Sequence, residues 1–170
     1  MMNEIRLLFG RPTTEETGHL IQAIKDLQSR HGLIAQALDA RLVVSEKHIQ
    51  FAVEKALSAL SDGRNIANDP GMEIMRYASG ERQIERALAM GVSDQTRRIA
   101  LVMTKVDGQE GWPDDRELCQ IIEQDGESGL FDPGAVKDVF NISSQELQAV
   151  GEERMEDLVI ERVALVETYR

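Results

Sequence analysis

Apolar residues recur along this chain with two periods, and the changes of period mark the elements. EIRLLF (4–9) is a short apolar run with strand character. The segment PTTEE (12–16) places a proline, threonines and acids together, which predicts a helix start, and the helix runs to about Arg30. His31 in its last turn and Gly32 beyond it form a usual helix stop. LIAQAL (33–38) fits strand or helix by periodicity, and a strand is preferred. From Ser45 the residues Ile49, Ala52, Val53, Ala56, Leu57 and Leu60 have helical spacing, and Gly63 ends the run. Pro70-Gly71 predicts a turn, MEIMRYA (72–78) a strand, and 81–90 a short helix closed by Gly91. RIALVMTKV (98–106) is apolar at odd and even positions alike, so it predicts a strand covered on both faces, in the middle of a sheet.

The elements over 72–106 would make a strand-helix-strand unit, right-handed if its strands are parallel. The Ser79-Gly80 corner would then lie at a strand C-terminus, where open α/β sheets bind ligands. Beyond Val106 the chain is acidic and rich in loops. Asp114 or Asp115 opens a helix through about Gln124, and Gly126, Gly129, Pro133 and Gly134 punctuate the chain after it. Ser143 with Glu146 three residues on is a capping box, predicted to open a long C-terminal helix. On that helix Val159, Ile160, Val163, Ala164 and Val166 form a broad stripe that should face the core. Leu158 and Leu165 form a second, narrow stripe, which either covers a neighbouring loop or meets a partner protein. The expected fold is a single α/β domain over 1–170, with no internal boundary. It has a small mixed sheet containing the strand-helix-strand unit, flanking helices and a long C-terminal helix.

Composition agrees with this. A chain of 170 residues with 42% hydrophobic and 29% charged content is long enough to bury a core without disulfides, and Cys119 is alone. A lone cysteine fits a reducing cytoplasm. MMNEIRLLFG does not resemble a signal peptide, no apolar run is long enough to span a membrane, and either Met1 or Met2 can be the start.

The net charge of −11 is unevenly distributed. Residues 1–62, 63–98 and 99–170 carry −1, +1 and −11, so the excess acid lies in the last third. The middle segment has Arg64, Arg76, Arg82, Arg86, Arg97 and Arg98 and no lysine. Arginine offers a planar fork suited to phosphates and base faces, but on residue types alone solvated ion pairs with Glu73, Glu81 and Glu85 are the preferred reading of these residues.

Motifs for catalysis are absent or incomplete. TKVD (104–107) matches the guanine-reading element of GTPases, but the phosphate loop that must accompany it is missing, since the chain has no Gly-Lys pair. The match points to an alternative, a small α/β nucleotide-binding enzyme that would use TKVD and the Ser-Gly corner. DGESG (125–129) lacks the register of a calcium loop. His19, His31 and His48 have no partners at metal-ligand spacing, and His19 and His48 sit among polar neighbours as surface residues do. Cys119 lies beside Ile122 on an apolar side, which predicts a buried thiol. The Ser-Gly corner has one glycine where a dinucleotide fold needs three, so no cofactor is expected.

What remains is the segment YASGERQIERALAMG (77–91), whose predicted helix begins with an arginine although helix starts favour acids. Either Glu85 offsets Arg82 and Arg86 locally, or the basic turn seats an anion. With Tyr77 as a stacking ring, Ser79 as a cap and exposed N–H groups, such a turn suits the end of a single-stranded nucleic acid.

HIQFAVEKALSAL, GRNIAND, MEIMRYASGERQIERALAMG and EDLVIERVAL resemble the small regulatory, kinase-binding subunit of the KEOPS complex, in its archaeal form. The resemblance runs from the first strand to the last helix and is weakest over the acidic segment 109–140. It implies a small cytoplasmic α/β domain with no active site or cofactor, which docks on the complex's atypical kinase and recruits tRNA by its 3′ CCA end. The complex adds a threonylcarbamoyl group to an adenosine beside the anticodon, and this subunit meets its transferase only indirectly. On that resemblance Arg64, Asn65, Tyr77, Ser79, Gly80, Arg82 and Gln83 are the candidate tRNA receptor, and Leu158 and Leu165 the candidate kinase contacts. The excess acid implies that such a subunit grips only the tip, the tRNA body lying on its partners.

Overall fold

The computed structural model describes residues 4–106, 111–126 and 130–168. Asp107 of TKVD and residues 127–129 of the acidic turn lie outside them. Four strands, β1 (Ile5–Pro12), β2 (Leu33–Asp39), β3 (Ile99–Lys105) and β4 (Ile122–Gln124), form one sheet in the order β2-β3-β1-β4. Every pairing is antiparallel, with Leu8 opposite Leu101 and Ala37 also opposite Leu101. The sheet is therefore antiparallel throughout where a mixed one was expected. Because β1 and β2 both run against β3, they run parallel to each other with β3 between them. The strand-helix-strand unit is β1-α1-β2, with α1 at Thr17–His31, and not the segment 72–106.

β3 is central and buried on both faces, as its unbroken apolar run predicts. Ile99, Leu101 and Met103 point into one core with Leu20, Ile24 and Leu27 of α1. Ala100 and Val102 point into a larger core with α2 (Glu46–Ser61), α3 (Pro70–Ala78) and the C-terminal helices. This is the period-2 alternation of a strand inserted between two helical layers.

The segment 72–78, expected as a strand, belongs to the helix α3. Asp69 accepts a hydrogen bond from the Met72 N–H, Pro70 occupies the first turn, and Ile74, Met75 and Ala78 share a buried face at helical spacing. Asp-Pro here starts a helix in place of the expected turn. The Ser79-Gly80 corner consequently ends a helix and does not end a strand. The helix predicted over 81–90 shrinks to α4 (Ile84–Ala87) and one 3-10 turn, Leu88–Met90. The one predicted from Asp114 through Gln124 divides into α5 (Asp115–Leu118) and β4.

After α6 (Pro133–Phe140), Ser143 caps α7 (Ser144–Val150) as the sequence predicts. The long helix expected from there is interrupted at Gly151, whose φ is 99°, and resumes as α8 (Met155–Leu165). Val159, Val163 and Val166 of the broad stripe are buried. Cys119 is exposed where a buried thiol was expected.

His48, expected at the surface, is fully buried. Its Nδ1 accepts from the Val44 N–H at 3.3 Å, so Nε2 carries the proton and donates to the Ala78 carbonyl at 2.7 Å. Burial pulls its pKa down to about 4, against smaller raising effects of the Ala78 carbonyl and Glu156. The unfolded chain thus takes up a proton at His48 that the folded chain refuses. The stability this ring contributes is complete above its ordinary pKa near 6.5 and is lost as pH falls from there to about 4. Chemical denaturation of the native chain and of His48→Gln across pH 7 to 4 should differ in slope by up to about 3 kcal/mol over that range, the native chain losing more.

Candidate nucleic-acid interface

The candidate receptor is built around two charged side chains inside α3. Glu73 and Arg76 are essentially buried and lie one helical turn apart. Arg76 donates from Nε to Glu73 Oε1 at 2.8 Å and from Nη2 to Oε2 at 3.0 Å, a fork on a carboxylate. Two such charges are tolerated in a core only when their remaining hydrogen-bonding capacity is used as well. Glu73 accepts from the Ala67 N–H at 3.1 Å and the Ile66 N–H at 3.4 Å. Arg76 Nη1 donates to the Arg82 carbonyl at 2.7 Å. The pair therefore fixes two loops, 64–69 on one side of α3 and 80–83 on the other.

Gly80 allows the second loop to turn. Its φ is +69°, and a Cβ there would stand 3.0 Å from Cβ of Arg162 on α8. Any side chain at 80 would meet both the left-handed backbone penalty and that contact. Arg162 itself is held by a fork to Glu146 at 2.8 and 2.9 Å and by the Phe140 carbonyl at 2.9 Å.

Between these loops and the end of α8 lies a hollow of about 320 Å³, lined by Arg64, Ile66, Arg76, Tyr77, Arg82 and Glu167 among others. Beside it a second, of about 500 Å³, is lined by Gly80, Arg82, Gln83, Arg86, Arg162 and Leu165 among others. Arg82 borders both. Of the residues singled out in the sequence, Arg64, Tyr77 and Arg82 meet in the first hollow, and Gly80, Arg82 and Gln83 in the second. Asn65 lines neither: its side chain donates to the Ala67 carbonyl at 2.9 Å and shapes the loop. Leu158 is buried in the core, so it cannot offer itself to a partner, whereas Leu165 is half-buried at the edge of the second hollow.

Three expectations about this turn change. Tyr77 is 2% exposed and its ring lies against the Arg76 guanidinium, 5.2 Å away, so only its hydroxyl edge reaches the hollow, not a free stacking face. Ser79 is buried and donates to the Arg76 carbonyl at 2.9 Å, closing α3 and not capping the next helix. Arg82 precedes α4, whose N-cap is Gln83 and whose first turn holds Glu85, so the basic start expected of this helix is not there. The Glu85 ion pair weighed for Arg82 and Arg86 is absent too: among the described residues neither guanidinium has a hydrogen bond or ion pair.

The three arginines of the first hollow thus differ in state. Arg76 is committed to Glu73. Arg64 is shared between Asp62 at 3.0 Å and Glu167 at 3.1 Å, which stabilise its charged form further. Arg82 is uncommitted. Glu167 also accepts from the Tyr77 hydroxyl at 3.2 Å and faces Lys55 Nζ at 3.5 Å. Burial would raise the Glu167 pKa, but Arg64, Lys55 and Tyr77 together outweigh it and hold the carboxyl below its usual range. Burial and the Glu167 charge push the Tyr77 phenol up. Sequence reasoning missed Glu167, Ile66 and the structural role of Arg76. Only the position of Glu167, four residues past Val163 on the broad stripe, hinted that it turns inward.

A family model described as kinase binding protein CGI-121 matches residues 16–167. The chain belongs to the CGI-121 family. A search of curated proteins found no match. CGI-121 is the family of a KEOPS subunit, so the chain is a kinase-binding protein of KEOPS type. No helix among the described residues is long and apolar enough to cross a membrane. The alternative enzyme loses its corner, which is a helix end in this CGI-121 chain. Of TKVD, Thr104 is buried, its hydroxyl donating to the Glu4 carbonyl at 3.0 Å, and Lys105 pairs with Glu4 at 2.6 Å.

Removing one partner of the buried pair strands the other. Glu73→Ala should cost about 3–5 kcal/mol in urea unfolding, whereas Asp62→Ala, at the exposed end of the Arg64 pair, should cost less than about 1 kcal/mol. Equal small losses would mean that the buried pair holds nothing in place.

Proposed function

We propose that the chain is a non-catalytic subunit of the KEOPS tRNA threonylcarbamoyladenosine-modification complex, in its archaeal form and acting in the cytoplasm. It binds the complex's atypical kinase, reaches the transferase subunit only through it, and recruits tRNA by the 3′ CCA end. The observation that carries the tRNA part is the uncommitted Arg82 guanidinium at the junction of two small hollows. Volumes of about 320 and 500 Å³ lie at the small end of ligand sites and suit a few unpaired nucleotides, not a duplex. Arg82 can pair with a phosphate or stack on a base, and Ile66, 48% exposed at the rim, adds an apolar surface for a ring. Arg64, Gln83 and the Tyr77 hydroxyl supply polar contacts and Gly80 lines the second hollow, while Asn65 and Ser79 support the loops from behind. A chain of net charge −11 gives no long-range attraction to a tRNA body, so affinity must come from the tip.

Titrating intact tRNA and tRNA lacking its CCA end should show clear preference for the intact form. Arg82→Glu should weaken intact-tRNA binding by about tenfold or more without altering the unfolding midpoint, since it replaces a phosphate-binding cation by an anion. Loss of the preference would sink the tRNA reading, and unchanged affinity would remove Arg82 from it. For the kinase, Leu165 is the surviving candidate contact. Leu165→Glu should reduce co-purification with the kinase while the variant stays folded by circular dichroism, and undiminished co-purification would place the kinase surface elsewhere.

A further inference from the structure

Glu167 is the only acid among the described residues that line the first hollow, and it occupies the place where an anion would bind. Its Oε1 accepts from Arg64 Nη1 at 3.1 Å and from the Tyr77 hydroxyl at 3.2 Å, and its Oε2 faces Lys55 Nζ at 3.5 Å. A guanidinium, a phenol and an ammonium converging on two oxygens form a donor set that serves a phosphate as well as a carboxylate. We propose that Glu167 is a built-in surrogate for a phosphate of the RNA 3′ end, and that tRNA binds by displacing this carboxylate from Arg64, Lys55 and Tyr77.

This rests on the proposed recruitment of tRNA. A phosphodiester and a carboxylate cannot share one set of donors, because two anions at contact distance repel. Protonation does not vacate the seat near neutral pH, since Glu167 is held below the usual carboxylate range. Displacement must therefore be mechanical, and position favours it: Glu167 lies two residues past the end of α8 at Leu165. Only the turn that follows Leu165 has to swing, while the loops clamped by Glu73 and Arg76 stay in place. The carboxylate keeps the donors desolvated and oriented before the RNA arrives, at the expense of affinity. Arg82, which has no such occupant, would make the first contact.

The decisive variant is Glu167→Gln, which keeps an oxygen for Tyr77 and Arg64 but removes the charge. Its affinity for intact tRNA should rise by roughly threefold to tenfold, the range for losing one screened like charge beside a phosphate. Glu161→Gln, the same charge change at an exposed position on α8, should alter affinity by less than about twofold. With tRNA lacking CCA, the gain from Glu167→Gln should disappear. Unchanged or weaker binding of intact tRNA by Glu167→Gln would overturn the proposal and make Glu167 a support for Arg64. A gain equal to that of Glu161→Gln would overturn it too. The recruitment reading fails separately, on the wild-type chain: no preference for the CCA end sinks that reading, whereas a gain for Glu167→Gln that persists on tRNA lacking CCA overturns the assignment of this seat to the 3′ end.

Discussion

The Glu73–Arg76 pair is the constraint on which the ligand-facing side of the molecule depends. Either residue alone inside α3 would be a buried charge with no compensation, and the isolated pair would still leave donors and acceptors unmet. The fold meets that demand by bringing two loops to it, the amides of Ile66 and Ala67 to the carboxylate and the carbonyl of Arg82 to the guanidinium. The polar requirement of a core element therefore determines the shape of the surface around it. A hydrophobic pair at 73 and 76 could fill the same volume but would give the loops no fixed address.

The rest of the fold brings the third wall to this clamp. β3, buried on both faces, separates an α1 layer from a layer in which α2, α3 and α8 pack together. Val159, Val163 and Val166 anchor α8 there, and its end consequently delivers Glu167 to Arg64 and Tyr77. Gly80 and Arg162 set how closely the second loop approaches α8. The same packing places an arginine-rich surface on an otherwise acidic chain, which concentrates any attraction for nucleic acid at one small point.

Much of the frame is legible in the sequence. β1, α1, α2 and β3 emerge from apolar periodicity and local end signals, while β2, whose period fits strand or helix, is found as the preferred strand after the Gly32 stop. α3 escapes a local reading because its buried face carries Glu73 and Arg76, which break the apolar stripe, and because the Asp69-Pro70 start looks like a turn. His48 escapes it for a related reason: its sequence neighbours are polar, but its partner is the Ala78 carbonyl, 30 residues away. Arg64, Tyr77 and Arg82 can be chosen from residue type and family resemblance, and they do meet in one hollow. That Tyr77 shows only its hydroxyl edge and that Glu167 fills the seat depend on contacts up to 103 residues apart, which no local pattern encodes, and Ser79 faces inward because the helix it closes is itself not legible.

The most direct test of the clamp is amide hydrogen exchange on Arg76→Lys, which keeps the charge but loses the fork and the reach to the Arg82 carbonyl. The account predicts that protection falls together at Ile66, Ala67 and Glu81, on both sides of α3, while β3 and α1 keep theirs. Protection unchanged in both loops, or lost in only one, would show that the pair does not hold them as a unit.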